Sequence, residues 1–193
     1  MAKWATNRHP RYGTRTRGRI SGRMLALAVL LAASVGIYIS KHWPTQSTST
    51  VVGTSYVVDG DTIDISGTRI RLLAIDAPEL DQPCSDAQGR SWDCGSAAAR
   101  ELRNYVNEQD LKCESSRQDQ YRRVLAICFM PDGSDLNAWM VRQGWAVAFR
   151  TTKRYRPEQD EAAAAKRGLW AGAFVMPWEW RDRNRRRAAD TGI

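Results

Sequence analysis

The sequence predicts an α+β domain, mainly β. Five short strands close into a barrel of the OB type, three helices pack around it, and an N-terminal transmembrane or signal-anchor helix precedes it. Three observations carry this reading. Five short runs rich in apolar and β-forming residues lie between residues 51 and 130, most of them alternating at the two-residue period of a strand. One helical pattern is interposed after the third run and two more follow the fifth. An uncharged apolar stretch, residues 24–39, precedes the whole domain.

The elements follow in order. Residues 51–58 hold five β-forming side chains, and Asp59-Gly60-Asp61 marks a turn. Residues 62–65 alternate Ile63 and Ile65 with polar neighbours. After a turn at Ser66-Gly67, residues 69–75 form the third strand, with Ile70 and Leu72 on one face and Arg71, Leu73 and Ile75 on the other. Pro78 ends it. A polar loop, 79–95, leads to a helix with Ser96 as N-cap and Ala98, Ala99, Leu102, Tyr105 and Val106 at helical spacing. Strands four and five cover 111–116 and 124–130 and turn near Asp119-Gln120. Ser134 or Asp135 caps a second helix that stops at Gly144. Pro157 and Gly168 bracket a third.

Charge is unevenly placed. The 193 residues carry a net +8, which invites a nucleic-acid reading. Residues 1–23 hold seven cations and no anion, and 178–193 hold five arginines against three anions. Residues 41–177 carry 17 cations and 18 anions, so the domain itself is nearly neutral. Only two histidines exist, His9 and His42, and both flank the apolar stretch. A Ser-His-Asp triad, a Cys-His pair and a His-ligated zinc are therefore excluded from the domain. Its chemistry must use carboxylates, arginine, lysine, tyrosine, cysteine or an oxygen-bound metal.

The sequence divides into a basic cytoplasmic segment (1–23), a transmembrane signal anchor or cleaved signal peptide (24–40), a linker (41–50), the domain (51–180) and a basic C-terminal tail (181–193). Sixteen helical residues span about 24 Å at 1.5 Å each. A hydrocarbon core is about 30 Å thick, so Arg23 and Lys41 must snorkel if the segment spans it. The positive-inside rule then places the domain outside the cytoplasm, membrane-anchored, or secreted if the signal is cleaved. All four cysteines lie in that domain, and the expected pairs are Cys84–Cys94, closing the polar loop, and Cys113–Cys128, across a hairpin. Four reduced, buried cysteines are the alternative.

Asp59, Asp61, Asp76 and Glu79, with Arg71 and Arg123, form the chemically informative set. Carboxylates at strand ends without histidine suit a hard cation such as Ca²⁺. The spacing excludes an EF-hand loop, because Ile70 stands where its last ligand would be. An arginine among apolar neighbours needs a partner or a ligand, and an internal salt bridge of Arg71 with Asp61 or Glu79 is the plain alternative.

These residues carry a resemblance. VVDGDTIDISGTRIRLLAIDAPE (57–79) resembles the signature of the staphylococcal-nuclease-like, or thermonuclease, family. DQYRRVLA (119–126) resembles that family's second motif, and 136–148 and 165–170 its C-terminal helices. The likeness covers roughly residues 50–180. It implies a five-stranded OB barrel with three helices and a Ca²⁺-dependent nuclease acting on DNA and RNA, with single-stranded nucleic acid as substrate. It implies Asp61, Asp76 and the Ala77 carbonyl as metal ligands, and Glu79 as general base. Arg71 and Arg123 match the phosphate-binding arginines, and Tyr121 a substrate-pocket tyrosine. Arg122 replaces a glycine, so a differently built turn is expected there. Phe149 replaces a tyrosine. A monomer is expected. Two other readings stand beside the enzyme: an inactive OB module binding nucleic acid or a protein, and an envelope interaction protein using its basic tail against a membrane or partner.

Overall fold

The computed structural model describes residues 48–192 together with Leu31 and Tyr38. The chain divides into two compact units, Met1–Thr45 and Gln46–Ile193. The predicted anchor, 24–40, lies outside the described residues apart from Leu31 and Tyr38, which are helical and exposed. Among the described residues no helix is long and apolar enough to cross a membrane.

In the second unit the strands are β1 (Ser49–Thr54), β2 (Tyr56–Val57), β3 (Thr62–Ile65), β4 (Thr68–Leu72) and β5 (Ile75–Asp76). A small ribbon follows, β6 (Cys84–Ser85) and β7 (Ser91–Trp92), then helix α1 (Cys94–Val106). The hairpin β8 (Asp110–Gln118) and β9 (Val124–Phe129) leads to α2 (Leu136–Arg142), β10 (Val147–Ala148), α3 (Arg156–Ala164), a 3₁₀ turn (Gly168–Ala171) and α4 (Pro177–Thr191). The main sheet runs β1-β8-β9-β4-β3-β2, with β4 and β9 parallel and the other pairs antiparallel.

Three expectations change. The first predicted strand is two strands, because the chain leaves one sheet edge at Thr54 and joins the opposite edge at Tyr56. One residue, Ser55, separates the two edges, so the sheet must curl until its ends meet. The five-strand barrel is therefore a curled, mixed six-stranded half-barrel. The third predicted strand is also interrupted: Ala74 takes φ 68°, a left-handed turn between β4 and β5. Finally, residues 48–192 hold four α-helices, and residues 181–191 of the assigned tail belong to α4.

The core sits inside the curl. Ile63, Ile65, Ile70, Leu72 and Leu111 from the strands meet Leu102 of α1 and Leu136 and Met140 of α2, all essentially without exposure. A smaller cluster gathers Cys84, Cys94, Val147 and Leu169, with Trp92, Trp170 and Trp178 against it. Helix α1 starts two residues before the expected Ser96 cap. Asp93 precedes it, and the Ser96 hydroxyl bonds the Leu80 carbonyl instead. Asp135 caps α2 as expected, accepting the Ala138 amide. Both expected disulfides are present, Cys84–Cys94 and Cys113–Cys128. Cys113 and Cys128 are direct cross-strand partners of β8 and β9.

One polar side chain closes the junction where parallel β9 meets β4. Asn137 is fully buried; its amide donates to the carbonyls of Leu73 and Ala126 and its oxygen accepts the Cys128 amide. Asn137→Leu removes all three bonds and strands buried backbone groups. It is expected to lower unfolding stability by about 3 kcal/mol in urea titration, since each unsatisfied group costs roughly 1–3 kcal/mol.

Candidate functional site

The site grows from the turn after β2. The Asp59 carboxylate accepts the Asp61 amide at 2.9 Å, a side-chain-closed turn. Gly60 is needed there for space: a Cβ would sit 2.7 Å from that of Ala77 and 3.1 Å from that of Ala98. The acidic turn thereby lies directly on the Ala77 segment and on α1. Asp61 follows, with its carboxylate buried.

Cross-strand pairing sets the rest. Thr62 of β3 stands opposite Arg71 of β4, and the Leu72 amide donates to the Asp61 carbonyl at 2.8 Å. The left-handed turn at Ala74 then resets the strand alternation. Ile75 enters the core, and Asp76 faces Arg71. Pairing of β5 with β10, Asp76 opposite Val147, fixes that position. Arg71 consequently bridges two carboxylates, with Nη1 at 2.6 Å from Asp61 and Nη2 at 2.7 Å from Asp76. The second Asp61 oxygen accepts the Ala77 amide at 3.0 Å. The salt bridge expected for Arg71 thus exists, but its second partner is Asp76, and Glu79 pairs elsewhere.

Glu79 is held by its backbone. The Glu79 amide donates to the side chain of Gln82, and the Gln82 amide donates to the Glu79 carbonyl at 2.8 Å. The fully buried Gln82 in turn donates its side-chain amide to Val175, ahead of α4. Gly95 of α1 packs against the Glu79 carbonyl so closely that a Cβ would lie 1.6 Å from that oxygen.

The remaining contacts come from α4. Arg181 Nη2 lies 2.8 Å from one Asp76 oxygen, and Nη1 reaches the other at 3.0 Å and Glu79 at 2.8 Å. The sequence reading placed Arg181 in the tail and missed it. The available signal was Pro177, a favoured first-turn residue, with Trp178 and Arg181 one helical turn apart.

Asp59, Asp61, Arg71, Ala77, Glu79 and Arg181 line a cleft of about 1140 Å³, which Asp76 does not reach. Arg123 and Tyr121 line it too, from the turn between β8 and β9. Asp119 holds Arg123 through Nε and Nη2, at 2.8 and 2.7 Å, and the Arg123 guanidinium lies 5.5 Å from the Tyr121 ring centroid. Arg122 keeps the left-handed backbone a glycine would favour, φ 64°. Asp119 pins that turn by accepting the amides of Tyr121 and Arg123. Phe149 and Arg150 also line the cleft.

Electrostatics follow from burial. Burial, and then the charge of Asp61, push the Asp59 carboxyl up to about 6. Burial likewise raises Asp76, against the pull of its arginines. For Arg71 and Arg181 burial acts downward, but their carboxylate partners outweigh it and hold both guanidiniums above the ordinary value. Among the described residues no three His, Cys, Asp or Glu side chains form a ready-made metal cage. The donors nevertheless fit a hard cation. All are oxygens, and Asp59, Asp61, Asp76 and Glu79 against Arg71 and Arg181 leave a formal −2.

Comparison with known proteins decides the family. Residues 69–172 match the sequence model described as Staphylococcal nuclease homologue. The chain belongs to that family. It is 36% identical over 135 residues to an uncharacterized endonuclease of Escherichia coli, covering 66% of this chain and 82% of that one. It is 30% identical over 169 residues to a thermonuclease of Staphylococcus intermedius, covering 79% and 98%. It is also 36% identical over 123 residues to the succinoglycan biosynthesis protein ExoI of Rhizobium meliloti, covering 62% and 64%. The family is one of nucleases, and nucleic acid is the substrate class it implies. The matched segment contains Arg71, Asp76, Glu79 and Arg123, while Asp59 and Asp61 precede it.

Gly95→Ala tests how the backbone holds Glu79. It is expected to lower the thermal midpoint by several degrees, overpacking costing typically 1–3 kcal/mol. Activity should fall further than the midpoint accounts for, because Glu79 moves with its carbonyl.

Proposed function

We propose that this protein is a Ca²⁺-dependent nuclease that hydrolyses phosphodiester bonds of single-stranded DNA or RNA outside the cytoplasm. The observation that carries the reading is the convergence of Asp61, Asp76, Glu79 and Arg71 at one end of the cleft that Arg123 also lines. Asp61, Asp76 and the Ala77 carbonyl are the groups that would hold the cation. When bound, it supplies Lewis-acid polarisation of the phosphoryl group.

The chain's own residues supply the rest. Glu79, at the cleft wall, takes the proton of the attacking water. Arg71 and Arg123 bind the phosphate oxygens as planar forks and stabilise the charge that develops there. Asp119 restrains Arg123 in advance, which lowers the ordering cost on binding. Tyr121, 70% exposed, offers its ring to a base or sugar. Retention of every proposed carboxylate and of Glu79 counts against an inactive binding module.

The two disulfides support a location outside the reducing cytoplasm. We read residues 24–40 as a membrane anchor or a cleaved signal peptide and 41–50 as the linker, with the domain on the far side of the membrane. A reporter active only after export, fused to the C-terminus, is expected to be active; a silent fusion overturns the location.

Cleavage of single-stranded DNA by the full-length chain is the test of activity. Cleavage should require Ca²⁺ and stop with chelator. Glu79→Gln should cost about 10²–10³ in kcat, the usual price of one such group. Cleavage that persists in chelator, or at wild-type rate in Glu79→Gln, overturns the reading.

A further inference from the structure

Arg181 contacts the acidic site, and the nuclease reading gives it no role. It comes from α4, outside the sheet that builds the other groups. Its guanidinium takes both oxygens of Asp76 and one of Glu79. Asp76 has no exposed surface and does not line the cleft, whereas Arg71 and Arg181 do. The carboxylate proposed as a cation ligand therefore lies behind two guanidiniums. A cation cannot reach it until one of them moves.

The two guanidiniums are not equally movable. Arg71 projects from the middle of the sheet and is 17% exposed; its strand pairs on both sides, with β3 and β9. Arg181 projects from the C-terminal helix, is 33% exposed, and borders a cleft into which a long side chain can swing. Charge favours the same exchange. Asp59, Asp61, Asp76 and Glu79 against Arg71 alone carry −3, and Arg181 reduces this to −2. In place of Arg181 a divalent cation would bring −3 to −1, a better match to the buried carboxylates.

We infer that Arg181 is an exchangeable internal counter-ion: it pairs with Asp76 and Glu79, and it yields Asp76 to the divalent cation, leaving Glu79 free toward the water. The inference rests on the cation-dependent reading of the site. Released, Arg181 stays at the cleft as a third guanidinium facing the phosphate.

Competition has a measurable sign. A site open one time in ten binds its ligand about tenfold more weakly than one always open. Ca²⁺ binding to the full-length chain is measured by calorimetry in wild type, Arg181→Met and Arg181→Lys. Arg181→Met should bind Ca²⁺ about tenfold more tightly, with Arg181→Lys between, because an ammonium cannot bridge both carboxylates as a fork. A residue that merely positions Asp76 and Glu79 gives the opposite sign, weaker binding in Arg181→Met. Equal or weaker binding overturns the inference and leaves the nuclease reading intact. Binding in neither wild type nor Arg181→Met overturns both. Should Arg181→Met not fold, the wild type supplies the second measurement. Protection of the Arg181 Nη protons against solvent exchange should fall on saturation with Ca²⁺, and unchanged protection overturns the exchange.

Discussion

The bridge from Arg71 to Asp61 and Asp76 is the interaction on which the site depends. It joins three successive pieces of chain: the turn before β3, the strand β4 and the short strand β5. Buried carboxylates are costly unless paired, and removing one partner of such a pair typically costs about 3–5 kcal/mol. The bridge is possible only because Ala74 adopts a left-handed conformation. A continuous strand would alternate strictly, and Asp76 would then share a face with the core residues Ile70 and Leu72, away from Arg71. One unfavourable backbone angle thus converts a strand into a clamp around a guanidinium. Backbone strain of this kind persists where surrounding contacts over-determine it. The amide of Phe149, which donates to the Ala74 carbonyl at 2.9 Å, is one such contact.

Neutral residues set the spacing of the charged ones. Gly60 and Gly95 let two acidic segments lie directly against α1 and Ala77, where any side chain would collide. Gln82 fastens the Glu79 turn from below and ties it to the segment entering α4. Helix α1 is itself stapled at its first residue by Cys94–Cys84. The disulfide, the two glycines and Gln82 therefore act together, through backbone position, on a carboxylate that none of them touches through its charge.

How far the sequence could be read follows from the physics of each feature. Core strands were legible because Ile63, Ile65, Ile70 and Leu72 alternate against polar neighbours. The cysteine pairs were legible because each closes a short, recognisable element. The break at Ser55 was not, since Val51–Val52 and Tyr56–Val57 form equally good strand residues and only the closure of the curl separates them. Nor was the turn at Ala74, because alanine carries no signal for a positive φ. Asp61, Asp76, Arg71 and Glu79 were legible as a motif, but their pairing was not, because it depends on that turn. Helix α4 was misread for a compositional reason. Five arginines after Trp180 look like a solvated tail, and the basic surface hides the one among them, Arg181, that pairs with the buried Asp76.

The distribution of charge imposes an order on assembly. A net +8 suggests a polyanion surface, yet most of that excess sits before residue 24, and the acidic site itself is negative. A phosphodiester approaching a cluster of −2 meets repulsion, at close range and partly shielded from water. The arginines lining the cleft, Arg123 and Arg150 among them, attract the same phosphate. On the proposed reading the cation must arrive first. Bound before the phosphate, it neutralises the acidic wall and leaves the arginines to dominate; bound after, it would have to enter past a substrate that the wall repels. Affinity for nucleic acid is then conditional on the cation, although the chain as a whole is strongly basic.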